Sequence, residues 1–311
     1  MRISLNLAQA ILNSGGVVGV PTETVYGLAA RASDAKAVKK IFALKGRPAD
    51  NPLIVHVARL SQIDQLVTYR PILLKKLEHL WPGPLTVVLP ANLKVIPNVV
   101  RAGLRTVAVR IPDHALLCQL IKKVGPLAAP SANRSGRPSP TCAQHVEDDF
   151  SKAFPVLDGG SCQKGVESTV IALSDEGWSL LRPGALAKEV IEKLLGPATA
   201  TKSKKSPQAP GMKYRHYAPH ARLVACETAT QIKSKLAKAD AVLGFADSHH
   251  GTKPLISLGT RGKPIVNLKR LYAALRELDK QGFCYVLVDQ QFPLMGLGAT
   301  LRERLNKAIS Q

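Results

Sequence analysis

The chain has 311 residues, 45% of them hydrophobic, and a formal net charge of +21. That length allows two domains with their own cores, while the lack of any unbroken apolar run near about 18 residues excludes a membrane-spanning helix. The five cysteines (Cys118, Cys142, Cys162, Cys226 and Cys284) are scattered and form no C-x-x-C, which excludes a disulfide framework and a structural zinc site.

Met1 to Asn6 leads into an amphipathic helix and has neither a signal-peptide core nor a cleavage site, so a cytoplasmic protein is expected. Asn6 is placed to cap a helix over 7–12 that stops at Gly15-Gly16. Val17 to Val20 reads as a buried strand. It opens into Pro21-Thr22-Glu23-Thr24-Val25-Tyr26-Gly27-Leu28, with three polar side chains and a tyrosine just past a strand end, where α/β proteins place their sites. Thr22 and Thr24 would serve equally well as turn caps.

Ala35, Val38, Ile41 and Phe42 recur at helical spacing behind Asp34, a good N-cap, so a helix should deliver Lys45 at its last turn. Pro48 and Pro52 stop that helix and stiffen the segment between them. Leu53-Ile54-Val55 is a short strand carrying His56. Lys45 and Arg47 on a rigid loop suit a ligand with several negative oxygens, one as a point charge and the other as a planar fork. The same two cations would also complement a helix C-terminus.

A helix over 71–80, the turn Trp81-Pro82-Gly83-Pro84 and a strand over 85–89 come next. Thr106 to Ile111 is a strand with one covered face. Arg110 near its end is costly unless a substrate or a carboxylate pairs with it, and substrate is the preferred partner. The run Pro126 to Thr141 opens from a short strand into a loop holding Ser131, Asn133, Ser135, Ser139 and Thr141, with Arg134 and Arg137. Such donors can surround phosphates, although composition also fits an ordinary crossover, and no Walker A motif occurs. Gly165 to Ile171 puts Ser168 at the mouth of a strand, and the strand from Trp178 to Leu181 ends at Arg182. A helix over 187–195 closes an α/β domain with a mixed, twisted sheet.

Residues 196–221 read as a linker rich in Pro, Lys and Ser. Within it, Tyr214-Arg-His-Tyr-Ala-Pro219 is too aromatic for a spacer. Positive charge is densest here, +6 over 196–222 against +9 over 1–195 and +6 over 223–311. Such an excess implies anionic partners and supports RNA contact without showing it. His216 and His220 are separated by Pro219, and His249-His250 reads as loop, so no metal site made of side chains alone is expected. From residue 222 a second rhythm predicts strands over 222–226, 241–245, 254–258 and 283–289, with helices over 230–238, 267–279 and 297–309. This is the size of a small Rossmann-like domain. Gly296-Leu297-Gly298 lacks a third glycine and follows the wrong strand for a dinucleotide site.

Taken together, these motifs resemble the threonylcarbamoyl-AMP synthase family. They are Pro21 to Leu28, Lys45-Gly-Arg-Pro48 with Asn51 to His56, Trp81 to Thr86, Val109 to His114, Pro130-Ser-Ala-Asn133 with Gly136 to Thr141, Gly165 to Thr169, Leu181 to Gly184 and Pro210 to Pro219. The resemblance covers nearly the whole chain, more loosely in the C-terminal part, whose Gly296 to Leu305 departs from the usual Asn-Arg-Leu ending. It implies an α/β fold with a YrdC-like twisted mixed-sheet catalytic domain over 1–195, a linker or lid over 196–221, and a smaller Rossmann-like domain over 222–311.

The family makes threonylcarbamoyl-AMP and pyrophosphate from L-threonine, bicarbonate and ATP. A separate complex then carries the group to tRNA as t6A. By resemblance, Lys45, Arg47, Ser131 and Asn133 hold the phosphates. Asn51, Thr106, Ser139, Arg182 and a linker tyrosine, Tyr217, line the nucleotide. Thr24, His56, Arg110, Ala129 and Ser168 hold threonine, with Arg110 on its carboxylate. Mg²⁺ is implied, held largely by phosphate oxygens. The linker would exclude water from the product. The chemistry needs positioning and charge neutralisation more than a protein nucleophile. Two rivals predict otherwise: an RNA-binding module would need no threonine, and a carbamoyl-phosphate-using transferase would carry acylphosphatase-like and zinc-finger segments, which are missing here.

Overall fold

Alternating short apolar runs and amphipathic helices build two sheets among the described residues, one of ten strands and one of four. The computed structural model describes residues 1–199 and 217–309. Most of the predicted linker, including Pro210 to His216, lies outside them. The chain divides into one unit of Met1–Ser135, Pro140–Gln163 and Glu167–Lys213, and a second of Gly136–Ser139, Lys164–Val166 and Tyr214–Gln311.

The strands of the first unit are β1 (Arg2–Ile3), β2 (Val18–Val20), β3 (Gly27–Arg31), β4 (Ile54–His56), β5 (Leu85–Pro90), β6 (Thr106–Arg110), β7 (Leu127–Ala128), β8 (Val156–Leu157), β9 (Thr169–Ser174) and β10 (Gly177–Arg182). They lie in the order β1-β8-β2-β3-β7-β4-β6-β5-β9-β10. Parallel pairs such as β4–β6 and β5–β9 alternate with antiparallel β4–β7, β5–β6 and β9–β10, so the sheet is mixed. Its helices are α1 (Leu5–Asn13), α2 (Ala35–Lys45), α3 (Leu60–Leu66), α4 (Asn98–Arg101), α5 (Ala115–Val124), α6 (Ala143–Phe150) and α7 (Lys188–Leu195).

The two faces of the central strands differ. In β6, Val107 and Val109 enter the main core with Val55, Val87, Leu89, Ile171 and Leu173. By the two-residue period, Thr106, Ala108 and Arg110 face the other way. There Ile54, Val88, Ala108, Val170 and Leu181 make a small apolar floor. Each large side chain fully buried on the main face contributes about 1.5–3 kcal/mol relative to exposure. The second face contributes far less and is left for polar groups.

Two predicted elements differ in detail. The first helix begins earlier than expected and is capped by Ser4, whose side chain accepts from the Leu7 N–H, instead of by Asn6. Residues 71–80 form two short 3₁₀ segments, Ile72–Lys76 and Glu78–Leu80, in place of an α-helix. Leu74, Leu77 and Leu80 recur every third residue, the period of a 3₁₀ turn, and all three pack inward.

In the second unit, β11 (Arg222–Cys226), β12 (Ala241–Gly244), β13 (Leu255–Ser257) and β14 (Tyr285–Asp289) form a parallel sheet in the order β11-β14-β12-β13. Its helices are α8 (Ala229–Lys235), α9 (Pro264–Lys280) and α10 (Leu297–Ile309). At the end of β14 the buried Asp289 accepts from Ser248 Oγ at 2.6 Å and pairs with Arg261 at 2.8 Å. Internal partners therefore fill the strand-end position where open α/β sheets bind ligands. No helix among the described residues is long and apolar enough to cross a membrane.

Gly184 lets the end of β10 cross close beneath the Ser168 segment. A Cβ there would stand 2.3 Å from the Ser168 carbonyl carbon and 2.4 Å from the Thr169 nitrogen, both backbone atoms. Gly184→Ala is expected to cost about 1–3 kcal/mol, as overpacking does, read as a lowered urea midpoint at unchanged slope. A wild-type midpoint would mean that the two segments move apart freely.

Candidate active site

Asp34 accepts from the Ala37 N–H and starts α2, while Gly46, at φ 61°, ends it in the left-handed region that glycine tolerates. The last helical side chain, Lys45, is turned inward and only 4% exposed. Its Nζ donates to the carbonyls of Ser131 and Asn133, and its own carbonyl accepts from the Ser135 N–H at 2.9 Å. The helix end and the Ser131–Ser135 loop are thus tied together. Burial first, then the neighbouring Arg47 guanidinium, holds Lys45 well below the usual lysine range. Arg47 Nη2 donates to the carbonyls of Pro52, at 3.1 Å, and Asn51, at 3.3 Å, fixing the proline-stiffened loop. The Asn51 side chain is 1% exposed, and among the described residues neither amide atom has a hydrogen-bond partner. A buried amide left in that state is the kind of group a ligand satisfies.

A second cluster sits at the far end of β4 and β6, where the register sets His56 beside Arg110. Arg110, 3% exposed, is held on three sides: Nη2 pairs with Glu23 Oε1 at 2.6 Å, Nη1 donates to Thr24 Oγ1 at 2.9 Å, and Nε donates to the Gly83 carbonyl at 3.1 Å. The hydroxyls continue the chain. Thr22 Oγ1 donates to the Val25 carbonyl, so Thr24, 2.7 Å away, donates to Thr22. Thr22 is a turn cap as well, since its oxygen accepts from the N–H groups of Thr24 and Val25. A buried arginine in this strand needs a partner, and the structure supplies a carboxylate, Glu23, that single-residue reasoning passes over.

Ser168, just ahead of β9, shares a 2.7 Å hydroxyl contact with Thr86, and Arg182 Nη2 donates to the Ser168 carbonyl at 2.8 Å. Ala129 N–H donates to the Ile54 carbonyl, which sets Ala129 beside β4. Thr106 begins β6 on the same face as Arg110. The first unit therefore assembles Lys45, Arg47, Asn51, Ser131 and Asn133 around the α2 terminus, and Thr24, His56, Arg110, Ala129, Ser168 and Arg182 along one sheet face. Ser139 and Tyr217 belong to the second unit. There Tyr217, at φ 72°, stacks on Tyr272 with ring centroids 5.1 Å apart and lies 5.2 Å from the Arg304 guanidinium.

Residues 10–184 match the family described as Telomere recombination (Sua5/YciO/YrdC), and residues 186–310 match the one described as Threonylcarbamoyl-AMP synthase, C-terminal domain. The threonylcarbamoyl-AMP synthase of Pyrococcus abyssi is 43% identical across 98% of this chain and 93% of its own length. That of Bacillus subtilis is 41% identical across 97% and 91%. The crystal structure of P. abyssi Sua5 complexed with L-threonine is similar at a TM-score of 0.91 and 40% identity, covering 99% of this chain and 96% of that one. The first unit has the YrdC-like architecture of that structure, and the smaller parallel sheet completes the match.

Burial, reinforced by the Arg110 charge, pushes His56 down to about 3, so its ring is neutral at pH 7. The unfolded chain takes up this proton near the ordinary value of about 6.5. The unfolded state therefore binds more protons throughout the interval below that value, and stability falls as the pH drops through it. The loss should be about 2 kcal/mol between pH 7 and pH 5. Urea titrations at the two pH values should show it, and His56→Gln should remove that share of the slope. An unchanged slope in the variant would assign the acid sensitivity to other groups.

Proposed function

The chain belongs to the threonylcarbamoyl-AMP synthase family, and we propose that it converts L-threonine, bicarbonate and ATP into threonylcarbamoyl-AMP and pyrophosphate on the sheet face that carries Arg110 and the α2 terminus beside it. The threonine amine attacks the bicarbonate carbon and water leaves, giving a carbamate. A carbamate oxygen then attacks the α-phosphorus of ATP and pyrophosphate departs. Neither step requires a protein nucleophile; both require the reactants aligned and their negative charge offset.

On this reading Lys45, Arg47, Ser131 and Asn133 take the phosphates, and Asn51, Thr106 and Arg182 line the nucleotide. Arg110 takes the threonine carboxylate, with Thr24, His56, Ala129 and Ser168 around the rest of the amino acid. Ser139 and Tyr217 are given to the nucleotide by family resemblance. ATP enters as its Mg²⁺ complex. Among the described residues no group of three His, Cys, Asp or Glu could hold a metal ion, and the site's donors suit anions. The metal is therefore read as part of the substrate, bound by phosphate oxygens and water.

The observation that carries the reading is Lys45: its buried Nζ is hydrogen-bonded to backbone carbonyls and not to a carboxylate, so an incoming phosphate can supply the counter-charge that favours its protonated form. The product would pass in the cytoplasm to a separate complex that modifies tRNA, and the net charge of +21 suits contact with that RNA. The domain reading assigns catalysis to 1–195, a lid to 196–221 and an accessory role to 222–311.

Pyrophosphate release from Mg·ATP should require both threonine and bicarbonate. Release with neither would leave an ATPase. Arg47→Ala is expected to lower kcat/KM by an amount equivalent to about 2–4 kcal/mol of transition-state stabilisation. Wild-type kcat/KM in that variant would remove Arg47 from the phosphate site.

A further inference from the structure

Glu23 stands in the Pro21–Leu28 run between two threonines, and the structure gives its carboxylate one task. The side chain is 1% exposed, and among the described residues its sole polar partner is Arg110. It caps no turn, although both neighbouring threonines take part in one. A buried Glu–Arg pair is a poor device for stability, since two well-packed apolar residues do as well or better. Its presence at this point on the site face calls for another use.

The use follows from the geometry of the guanidinium. Arg110 Nε is committed to the Gly83 carbonyl, Nη1 gives one hydrogen to Thr24, and Nη2 is ion-paired with Glu23. The two hydrogen-bond acceptors hold the plane of the fork, the Glu23 carboxylate stands at 2.6 Å from Nη2 as an ion pair, and both Nη nitrogens keep a hydrogen for a further acceptor. Two terminal nitrogens presented in a fixed plane match the two oxygens of a carboxylate. Glu23 cannot itself face that carboxylate, because like charges at such a distance repel. It acts through the arginine.

We propose that Glu23 is the positioning residue of the amino-acid subsite. It is the counter-ion that holds Arg110 aligned before the amino acid arrives, so that the incoming carboxylate meets a fork already in place. This rests on the reading of Arg110 as the carboxylate's partner.

The test compares L-threonine with L-threoninamide, which keeps the shape of the carboxyl group and lacks its charge, in the Mg·ATP- and bicarbonate-dependent pyrophosphate assay. Wild-type protein should prefer threonine. If it uses both equally, the reading of Arg110 fails, and the role of Glu23 fails with it. Given that preference, Glu23→Gln should raise KM for threonine about tenfold, the scale of one charge-assisted contact. Turnover should be nearly unchanged and threoninamide use unaffected, so that the preference shrinks by the same factor. A structural defect alone would lower both substrates together. An unchanged preference in the folded variant would overturn the role of Glu23 while leaving Arg110 on the carboxylate. If Glu23→Gln does not fold, Glu23→Asp retains the charge and withdraws it by one methylene. Its preference should also shrink, and an unshifted value would overturn the proposal equally.

Discussion

Positive charge held out of water is the constraint around which the first unit is arranged. Lys45, Arg110 and Arg182 are all buried, and a cation in such surroundings persists only where acceptors are brought close. Backbone carbonyls supply most of them: those of Ser131 and Asn133 for Lys45, Gly83 for Arg110 and Ser168 for Arg182. To aim so many carbonyls inward, the chain must turn sharply. The glycines fall where it does: a Cβ on Gly83 would meet the Leu80 carbonyl at 2.4 Å, and one on Gly184 would meet the Ser168 backbone. The carbonyls satisfy the hydrogen bonds of Lys45 without adding a negative charge, whereas Arg110 also carries the Glu23 carboxylate, and the result is a group of donors suited to anions.

The same sheet separates stability from chemistry by alternation. Odd-numbered valines of β6 lie in the main core, while its even-numbered residues run from Thr106 through Ala108 to Arg110 on the site side. A small residue between two polar ones leaves room above the sheet. The apolar floor beneath that room is shallow because the opposite face already holds most of the buried area.

Much of this was legible in the amino-acid order. Asp34, the apolar spacing behind it and the proline pair after Lys45 fix α2 and its exit by local rules, and Arg110 in an apolar strand, Ser168 before one and Arg182 at the end of another announce themselves. The Glu23–Arg110 pair was hidden because it depends on which loop meets the end of β6, and no local pattern encodes which of several acids reaches a given arginine. β3 was hidden for a different reason. Gly27-Leu-Ala-Ala-Arg31 lacks the branched residues that mark strands, since a side chain at Gly27 would press within 3.1 Å of the Ala129 methyl. The 3₁₀ turns at 72–80 share their leucine spacing with one edge of an α-helical pattern, and only packing decides between them.

The spatial order of the strands bears on how the protein comes into being. The edge strand made first, β1, is paired only when β8 arrives about 150 residues later, and the pocket draws side chains from Thr24 through to Arg182. Contacts so distant along the chain form only after large loops have closed, which slows folding relative to a chain of local contacts. A nascent chain that ends short of β10 lacks Arg182, and one that ends short of β9 also lacks the Ser168 hydroxyl. No form that ends short of β10 therefore carries the full set of these side chains, and the site face of the first unit is complete only with the completed sheet.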